Sequence, residues 1–267
     1  MDFRVLVTRP LAQNQGLVKA LISAEMTPVI YPLLSIQGFP PTASDHYPLI
    51  RTQVQRLAEF DVLIFISTNA ANIACEWFDA YWPQLPIQSW FAIGKATSGA
   101  LEAHNLLGQP AIIADSMAMN SESLLALPAL QSPLISGKRV MIVRGVGGRE
   151  TLKQTLQERG ASIEYLEVYQ RQFVDHPKHA FATCLAGGLQ VLTITSGESL
   201  DKLLEEAMMN KKLAEVLALP LVVPSLRLYE KAESMGFLRP FCAKNAGVKA
   251  MLDTITLIKN EGTLRGD

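Results

Sequence analysis

The sequence predicts an α/β protein of two similar lobes, each a parallel sheet flanked by helices, and three observations lead there. Two gapless segments share one pattern of apolar strand, amphipathic helix and second strand. Two further strand–helix units recur between and after them. A chain of 267 residues also exceeds the usual size of a single domain, so two compact domains of modest size are the natural reading of its length.

The first segment runs RVLVTRPLAQNQGLVKALISAEMTPVIYPLL from Arg4 and the second RVMIVRGVGGRETLKQTLQERGASIEYLEVY from Arg139. Each places an Arg at the end of its apolar run, Arg9 and Arg144, and Leu at matching helical positions, Leu17 and Leu21 against Leu152 and Leu156. The switch of apolar period from strand to helix and back marks a βαβ unit in each copy. A second pair joins VLIFISTNAANIA from Val62 to VLTITSGESLDKL from Val191, and FAIGKATSGALEAHNL from Phe91 is similar to LVVPSLRLYEKAESMGF from Leu221. With the first unit written A and the second B, the chain reads A, B, A′, B′. Parallel sheets covered on both faces, with right-handed crossovers, follow from that alternation.

The repeat leaves two ways to form lobes, A with B and A′ with B′, or A with B′ and B with A′. The second makes the chain cross twice between lobes. Two segments suit crossings in either arrangement: Gln37 to Ser44, whose Gly-Pro-Pro content breaks regular structure, and Gln170 to Pro177.

Composition excludes several classes. The chain is 49% hydrophobic and 18% charged, which argues against disorder. A net charge of -1 from 24 basic and 25 acidic residues supports neither a nucleic-acid nor a membrane-surface partner. The cysteines, Cys75, Cys184 and Cys242, are scattered and form no CxxC, so neither a disulfide framework nor a zinc site is expected. Without a basic, apolar leader before Phe3 or an apolar run that spans a bilayer, a cytoplasmic location is expected.

In an open parallel sheet the ligand crevice lies beyond the carboxyl ends of the strands, where loops feed helix N-termini. This singles out Thr8-Arg9-Pro10, Ser67-Thr68-Asn69, Gly94-Lys95-Ala96-Thr97, Arg144 to Gly148, Thr195-Ser196-Gly197 and Pro224-Ser225-Leu226-Arg227. Nearly all are rich in small or hydroxylated residues, which leave backbone N–H groups open at the positive ends of helices and favour bound anions. Each hydroxyl alone reads first as a helix cap, and Pro10 as a first helical residue; the functional reading rests on recurrence. Two lobes facing each other would present these ends to one cleft.

Arg144-Gly145-Val146-Gly147-Gly148-Arg149-Glu150 invites comparison with a dinucleotide fingerprint, but Glu150 stands where its third glycine belongs. A flexible loop carrying Arg144 and Arg149 instead suits a carboxylate ligand, with a solvated surface role as the plainer alternative, and the repeat position that Arg144 shares with Arg9 favours a common structural purpose first. Among the histidines only His176 and His179 are close in sequence; they lack a third ligand and read as exposed linker residues. With neither a G-x-S-x-G elbow nor a P-loop, an enzyme here works by holding and orienting its substrate.

Over essentially its full length the chain resembles bacterial uroporphyrinogen-III synthases, through VLVTRP, FISTNAAN, AIGKATSGAL, VRGVGGRETLKQTLQERGASIEYLEVYQR, TITSGESL and the stretch from Ser225 to Phe237. The resemblance implies flavodoxin-like lobes in the crossed arrangement, 1–36 with 174–267 and 42–170. Linkers at 37–41 and 171–173 then form a two-segment hinge. It implies closure of hydroxymethylbilane, a carboxylate-rich linear tetrapyrrole, with no cofactor and no metal. Loss of the ring-A hydroxyl forms an azafulvene; ring D attacks through its substituted carbon and is inverted through a spiro intermediate.

Since spontaneous closure gives the symmetric isomer, the resemblance implies that the protein restricts the bound conformation while a proton transfer helps water depart. Tyr169 aligns with the family's tyrosine before the linker and is the implied catalytic residue; packing at the lobe edge is its structural alternative. Substrate-binding positions carried over are Thr8, Arg9, Ser67, Thr68, Asn69, Lys95, Ala96, Thr97, Arg144, Gly145, Ser196, Gly197, Ser225 and Leu226, mostly through backbone amides. Pro224 removes one donor, and Lys95 and Asn69 depart from commoner residues. A monomer and a transient hand-off from hydroxymethylbilane synthase are also implied. The competing classes are a non-catalytic two-lobed binder of an anionic metabolite and a nucleotide-dependent Rossmann enzyme; the first should carry an export signal and the second an intact fingerprint.

Overall fold

A computed structural model describes residues 2–82, 88–104, 111–114, 121–148 and 150–264. In chain order the strands are β1 (Arg4–Val7), β2 (Thr27–Ile30), β3 (Leu34–Gly38), β4 (Val62–Phe65), β5 (Ser89–Ala92), β6 (Ile112–Ile113), β7 (Arg139–Gly145), β8 (Ser162–Phe173), β9 (Val191–Thr193), β10 (Leu221–Val223) and β11 (Pro240–Cys242). They form one sheet ordered β11-β10-β9-β1-β2 and another ordered β3-β8-β7-β4-β5-β6. The chain divides into two compact units, Met1–Ser35 with Gln172–Asp267, and Ile36–Arg171.

In the first unit every strand pair is parallel. Side chains alternate between faces along each strand. Val5, Val7, Val191 and Val222 pack on helices Leu11–Ser23 and Val248–Leu264 through Leu17, Leu21, Met251 and Ile255. Leu6, Leu192, Leu221 and Val223 turn to the other face, where Phe181, Leu200 and Leu203 cover them. Burial on both faces is what makes these strands read as unbroken apolar runs.

The second unit repeats this plan. Its β7–β8, β7–β4, β4–β5 and β5–β6 pairs are parallel. Leu63, Phe65, Met141 and Val143 pack on helix Thr68–Tyr81, whose Ala70, Ala71 and Ala74 let Trp77 and Phe78 close over the sheet. Val62, Ile64, Val140 and Ile142 face Leu152 and Leu156 of helix Thr151–Glu158. The matched leucines of the repeat, Leu17, Leu21, Leu152 and Leu156, are thus all core residues.

Strand order decides between the two arrangements the repeat allows. One sheet reads β2-β1-β9-β10-β11 and the other, apart from its outer strand β3, reads β8-β7-β4-β5-β6, so A joins B′ and B joins A′ in equivalent positions. The first is the 2-1-3-4-5 order of a doubly wound sheet, and the second is the same order circularly permuted. Chain direction across each sheet reverses between β1 and β9 and between β7 and β4.

The connecting segments carry strand structure. Gln37 and Gly38 belong to β3, and β8 continues to Phe173. Hydrogen bonds from Phe39 N to Val168 O and from Val174 N to Leu33 O hold these stretches extended. Pro40 and Pro41 lie past the end of β3, where they cost no ladder bond. Pro10 sits one residue earlier than expected, at the N-cap position of the helix that starts at Leu11.

Candidate active site at the sheet switch points

Each loop singled out in the sequence follows a strand and precedes a helix, three in each unit. Because the strands are parallel, each set of three lines the carboxyl end of its own sheet, on both sides of the strand pair where chain direction reverses. Here backbone amides at helix N-termini are left over, and the helix dipoles favour anions.

In the first unit the switch point is closed by hydroxyls. Thr8, 1% exposed, donates from Oγ1 to Thr193 O at 2.6 Å, and Thr193 Oγ1 donates to Leu6 O at 2.7 Å. Thr8 therefore braces β1 against β9, and its hydroxyl is committed to that carbonyl. Arg9 is half-buried and donates to Ala246 O; its Nε is buried without a partner among the described residues. Desolvation draws its pKa below the usual arginine value. Ser196 Oγ caps its helix by accepting from Ser199 N at 3.1 Å, while Lys231 Nζ donates to Gly197 O at 3.2 Å. Ser225 holds an N-cap position with no side-chain cap bond, and Leu226 after it is 63% exposed.

In the second unit Ser67 caps helix Thr68–Tyr81 by accepting from Ala70 N at 3.1 Å, so the helix-cap reading holds for Ser67 as for Ser196. Thr68 is exposed and Asn69 half-buried. Gly94 is the N-cap of helix Lys95–Ala103; Lys95 and Ala96 open it exposed, and Thr97 is buried.

Tyr169 reaches this switch point from two strands away. A bulge between β7 and β8 pairs Arg144 with Glu167 but Gly145 with Tyr169. Such a bulge re-aims a side chain. The Tyr169 ring lies across Gly145 and its hydroxyl stands 3.2 Å from Ser67 Oγ. A residue of β8 thereby meets the cap of the helix after β4. Tyr169 is 4% exposed and borders a cavity of about 280 Å³ with Ile66, Ile142, Gly147, Tyr165 and Arg171 among its lining.

Arg144 differs from expectation. It is not on a flexible loop: it lies within β7 and is 2% exposed. Its Nε donates to Gly145 O and one terminal nitrogen to Glu150 Oε1, both at 3.2 Å; the other terminal nitrogen donates to Gly147 O. The guanidinium also stacks 4.4 Å from the centre of the Tyr165 ring, and the Tyr165 hydroxyl donates to Glu150 Oε2 at 2.7 Å. Glu150 thus has a positive task. The glycine loop that faintly resembles a nucleotide fingerprint is filled by its own arginine and capped by its own carboxylate, which opposes a phosphate there. The bond from Tyr165 holds the Glu150 carboxyl below its ordinary range; burial and the Glu150 bond push Tyr165 up to about 12. Arg149 lies outside the described residues.

Sequence reasoning missed Tyr165, Glu150 and Glu167, whose Oε1 accepts from Gly147 N at 3.2 Å. An acid six residues beyond Arg144 was the available signal, yet it read only as a broken fingerprint. His176 is also corrected: it stacks on Tyr31 at 3.8 Å and its Nε2 lies 2.8 Å from Pro32 O, so it is no free linker residue. Among the described residues no group of three or more His, Cys, Asp or Glu could hold a metal ion, and no helix is long and apolar enough to cross a membrane.

Comparison with known proteins adds the family. The model described as "Uroporphyrinogen-III synthase HemD" matches residues 15–253. The chain is 34% identical over 252 residues to the uroporphyrinogen-III synthase of Escherichia coli (strain K12), covering 93% of this chain and 98% of that one. Among solved structures, a mutant uroporphyrinogen III synthase from the extremely thermophilic bacterium Thermus thermophilus superposes with a TM-score of 0.63 at 18% identity, covering 97% of this chain and 99% of that one. Uroporphyrinogen-III synthetase from Helicobacter pylori 26695 gives a TM-score of 0.59 at 14% identity, over 97% and 100%. At these identities the two structures share the α/β fold with this chain.

Proposed function

This chain belongs to the uroporphyrinogen-III synthase family, and on that premise we propose that it cyclises hydroxymethylbilane to uroporphyrinogen III, with loss of water and inversion of ring D. The observation that carries the site is the meeting of Tyr169 with Ser67 at the β7–β4 switch point, beside the cavity. In this reading the Tyr169 hydroxyl gives its proton to the departing hydroxyl of the ring-A hydroxymethyl group. Ring D attacks the resulting protonated azafulvene through its substituted carbon. The spiro intermediate breaks that carbon's bond to its original bridge, and the freed bridge carbon bonds to the other α-carbon of ring D. The proton lost there restores the tyrosine, which leaves the ring inverted. General acid assistance of this kind is worth about 10²–10⁴-fold in rate.

The rest of the task is conformational. Unassisted closure gives the symmetric isomer, so the bound tetrapyrrole must be held where ring D meets ring A through the other carbon. Unit by unit, we assign carboxylate-holding groups at the carboxyl end of each sheet: Ser67, Thr68, Asn69, Ala96, Thr97 and Gly145 with the cation Lys95 in the second unit, and Ser196, Gly197, Ser225 and Leu226 with the cation Arg9 in the first. Thr8 serves through the brace that orders its loop. The units are read as lobes and the crossing stretches in β3 and β8 as a two-segment hinge, supported by unit boundaries that fall inside those strands.

Supplying the purified protein with freshly generated hydroxymethylbilane and separating the isomers tests the function. Type III product should dominate; accumulation of the symmetric isomer alone would overturn it.

A further inference from the structure

We infer that Arg144 is a positioning residue for this reaction, an internal counter-ion around which the loop Gly145–Gly148 is folded, and not a ligand for the substrate's carboxylates. The inference rests on the proposed function and concerns the same site.

A buried guanidinium persists only where its charge is paired and its donors are used. For Arg144 the pairing is internal: Glu150 at 3.2 Å supplies the opposite charge, and the carbonyls of Gly145 and Gly147 accept the other bonds described. A planar fork stacked on Tyr165 can serve three acceptors in fixed directions; a lysine ammonium cannot reproduce that pattern. The loop is shaped to this group. Gly147 and Gly148 have φ of +72° and +103°, and a Cβ on Gly148 would lie 2.7 Å from an Arg144 terminal nitrogen.

The opposite side of the loop is tied to β8. Val146 N donates to Tyr169 O at 2.7 Å, and Gly147 N to Glu167 Oε1 at 3.2 Å. Arg144 thus holds the loop's carbonyls while β8 holds its amides, and Gly145 between them is the residue on which the Tyr169 ring rests. Releasing the guanidinium frees the platform under the tyrosine. A substrate carboxylate on Arg144 would instead have to displace Glu150 from a charge already balanced.

The test compares Arg144→Lys and Glu150→Gln with the wild type, reading kcat, KM and the ratio of type III to symmetric product. A misplaced catalytic group costs about 10²-fold. Arg144→Lys should lower kcat by about that factor, with KM within about twofold, since loss confined to the transition state lowers kcat and kcat/KM together. As enzymatic closure slows, spontaneous closure should add symmetric product. Glu150→Gln, at an exposed position, should change kcat and the isomer ratio in the same direction by less. A rise in KM with kcat and isomer ratio unchanged would make Arg144 a substrate ligand and overturn the inference. So would a Glu150→Gln enzyme with wild-type kcat and ratio, which keeps the proposal refutable if Arg144→Lys does not fold. Wild-type protein that forms no type III product would instead remove the function on which the inference rests.

Discussion

The ring of Tyr169 occupies the space where Gly145 would carry a side chain. A Cβ built on Gly145 would stand 2.4 Å from Cε2 and 2.5 Å from Cζ of that ring. Glycine is needed here for close approach: its bare Cα lets a β8 side chain cross β7 and reach Ser67.

Gly145→Ala should therefore push the ring away from Ser67, at the cost of about 1–3 kcal/mol typical of overpacking. The melting temperature should fall by several degrees and type III formation should slow. In a Tyr169→Ala background the same substitution should cost much less, because the clash is gone. Equal losses in the two backgrounds would show that the contact is not the cause.

Tyr169→Phe keeps the ring on Gly145 and removes only the hydroxyl. The rate of type III formation should drop by about 10²-fold or more while thermal stability changes little. An unchanged rate would remove the tyrosine from the chemistry. Ser67→Ala should behave differently, since Ser67 also caps a helix: a stability loss of about 0.5–2 kcal/mol is expected alongside any loss of rate.

Thr8→Val deletes a buried hydroxyl and leaves Thr193 O without its donor. About 1–3 kcal/mol of stability should be lost, read by denaturant unfolding. KM should stay near the wild-type value. A raised KM at full stability would assign the hydroxyl to the substrate.

Acid should weaken the second unit through one cluster at its sheet's amino end. Hydrogen bonds from Arg56 and Arg139 hold the Glu59 carboxyl down to about 2, and the Arg139 backbone N–H and Lys138 lower Asp61. Their folded pKa values lie below the unfolded ones. The stabilisation is therefore fully present above the ordinary carboxylate range and is lost as pH falls through the folded values. Melting temperature should decline from about pH 5 toward about pH 2, more steeply for wild type than for Glu59→Gln. The difference should shrink in high salt because these groups are exposed. Parallel pH curves would exclude Glu59 from the linkage.

Thiol reactivity should follow burial. Burial pushes the Cys75 thiol up to about 12, whereas Cys242 is exposed. A thiol reagent should label Cys242 in the native protein and Cys75 only after unfolding, as peptide mass analysis would show. Native labelling of Cys75 would contradict its core placement.

Several features were legible because they depend on local patterns. Apolar runs such as Val62–Phe65 are unbroken because both faces of the sheet are covered, and Leu17, Leu21, Leu152 and Leu156 recur because both sheets need a helix there. Ser67 and Ser196 were readable as caps, since a cap is set within a few residues of its helix. For Arg144 the repeat position shared with Arg9 favoured a structural purpose, but its partners were not readable, because a glycine-rich stretch looks the same whether it binds an anion or wraps around its own arginine.

By itself, then, the sequence determined the α/β class, the repeated units, the loops that follow the strand ends and the resemblance through which Tyr169 was singled out. The tertiary structure decided which units share a sheet, because A, B, A′, B′ satisfies either pairing and only long-range strand contacts choose. It also decided what Thr8, Arg144 and Tyr169 touch. Thr193 lies 185 positions from Thr8, and Ser67 lies 102 from Tyr169. Periodicity extends over a turn or a pleat; partners that far apart are brought together only when the sheets assemble and a bulge turns one ring across a glycine.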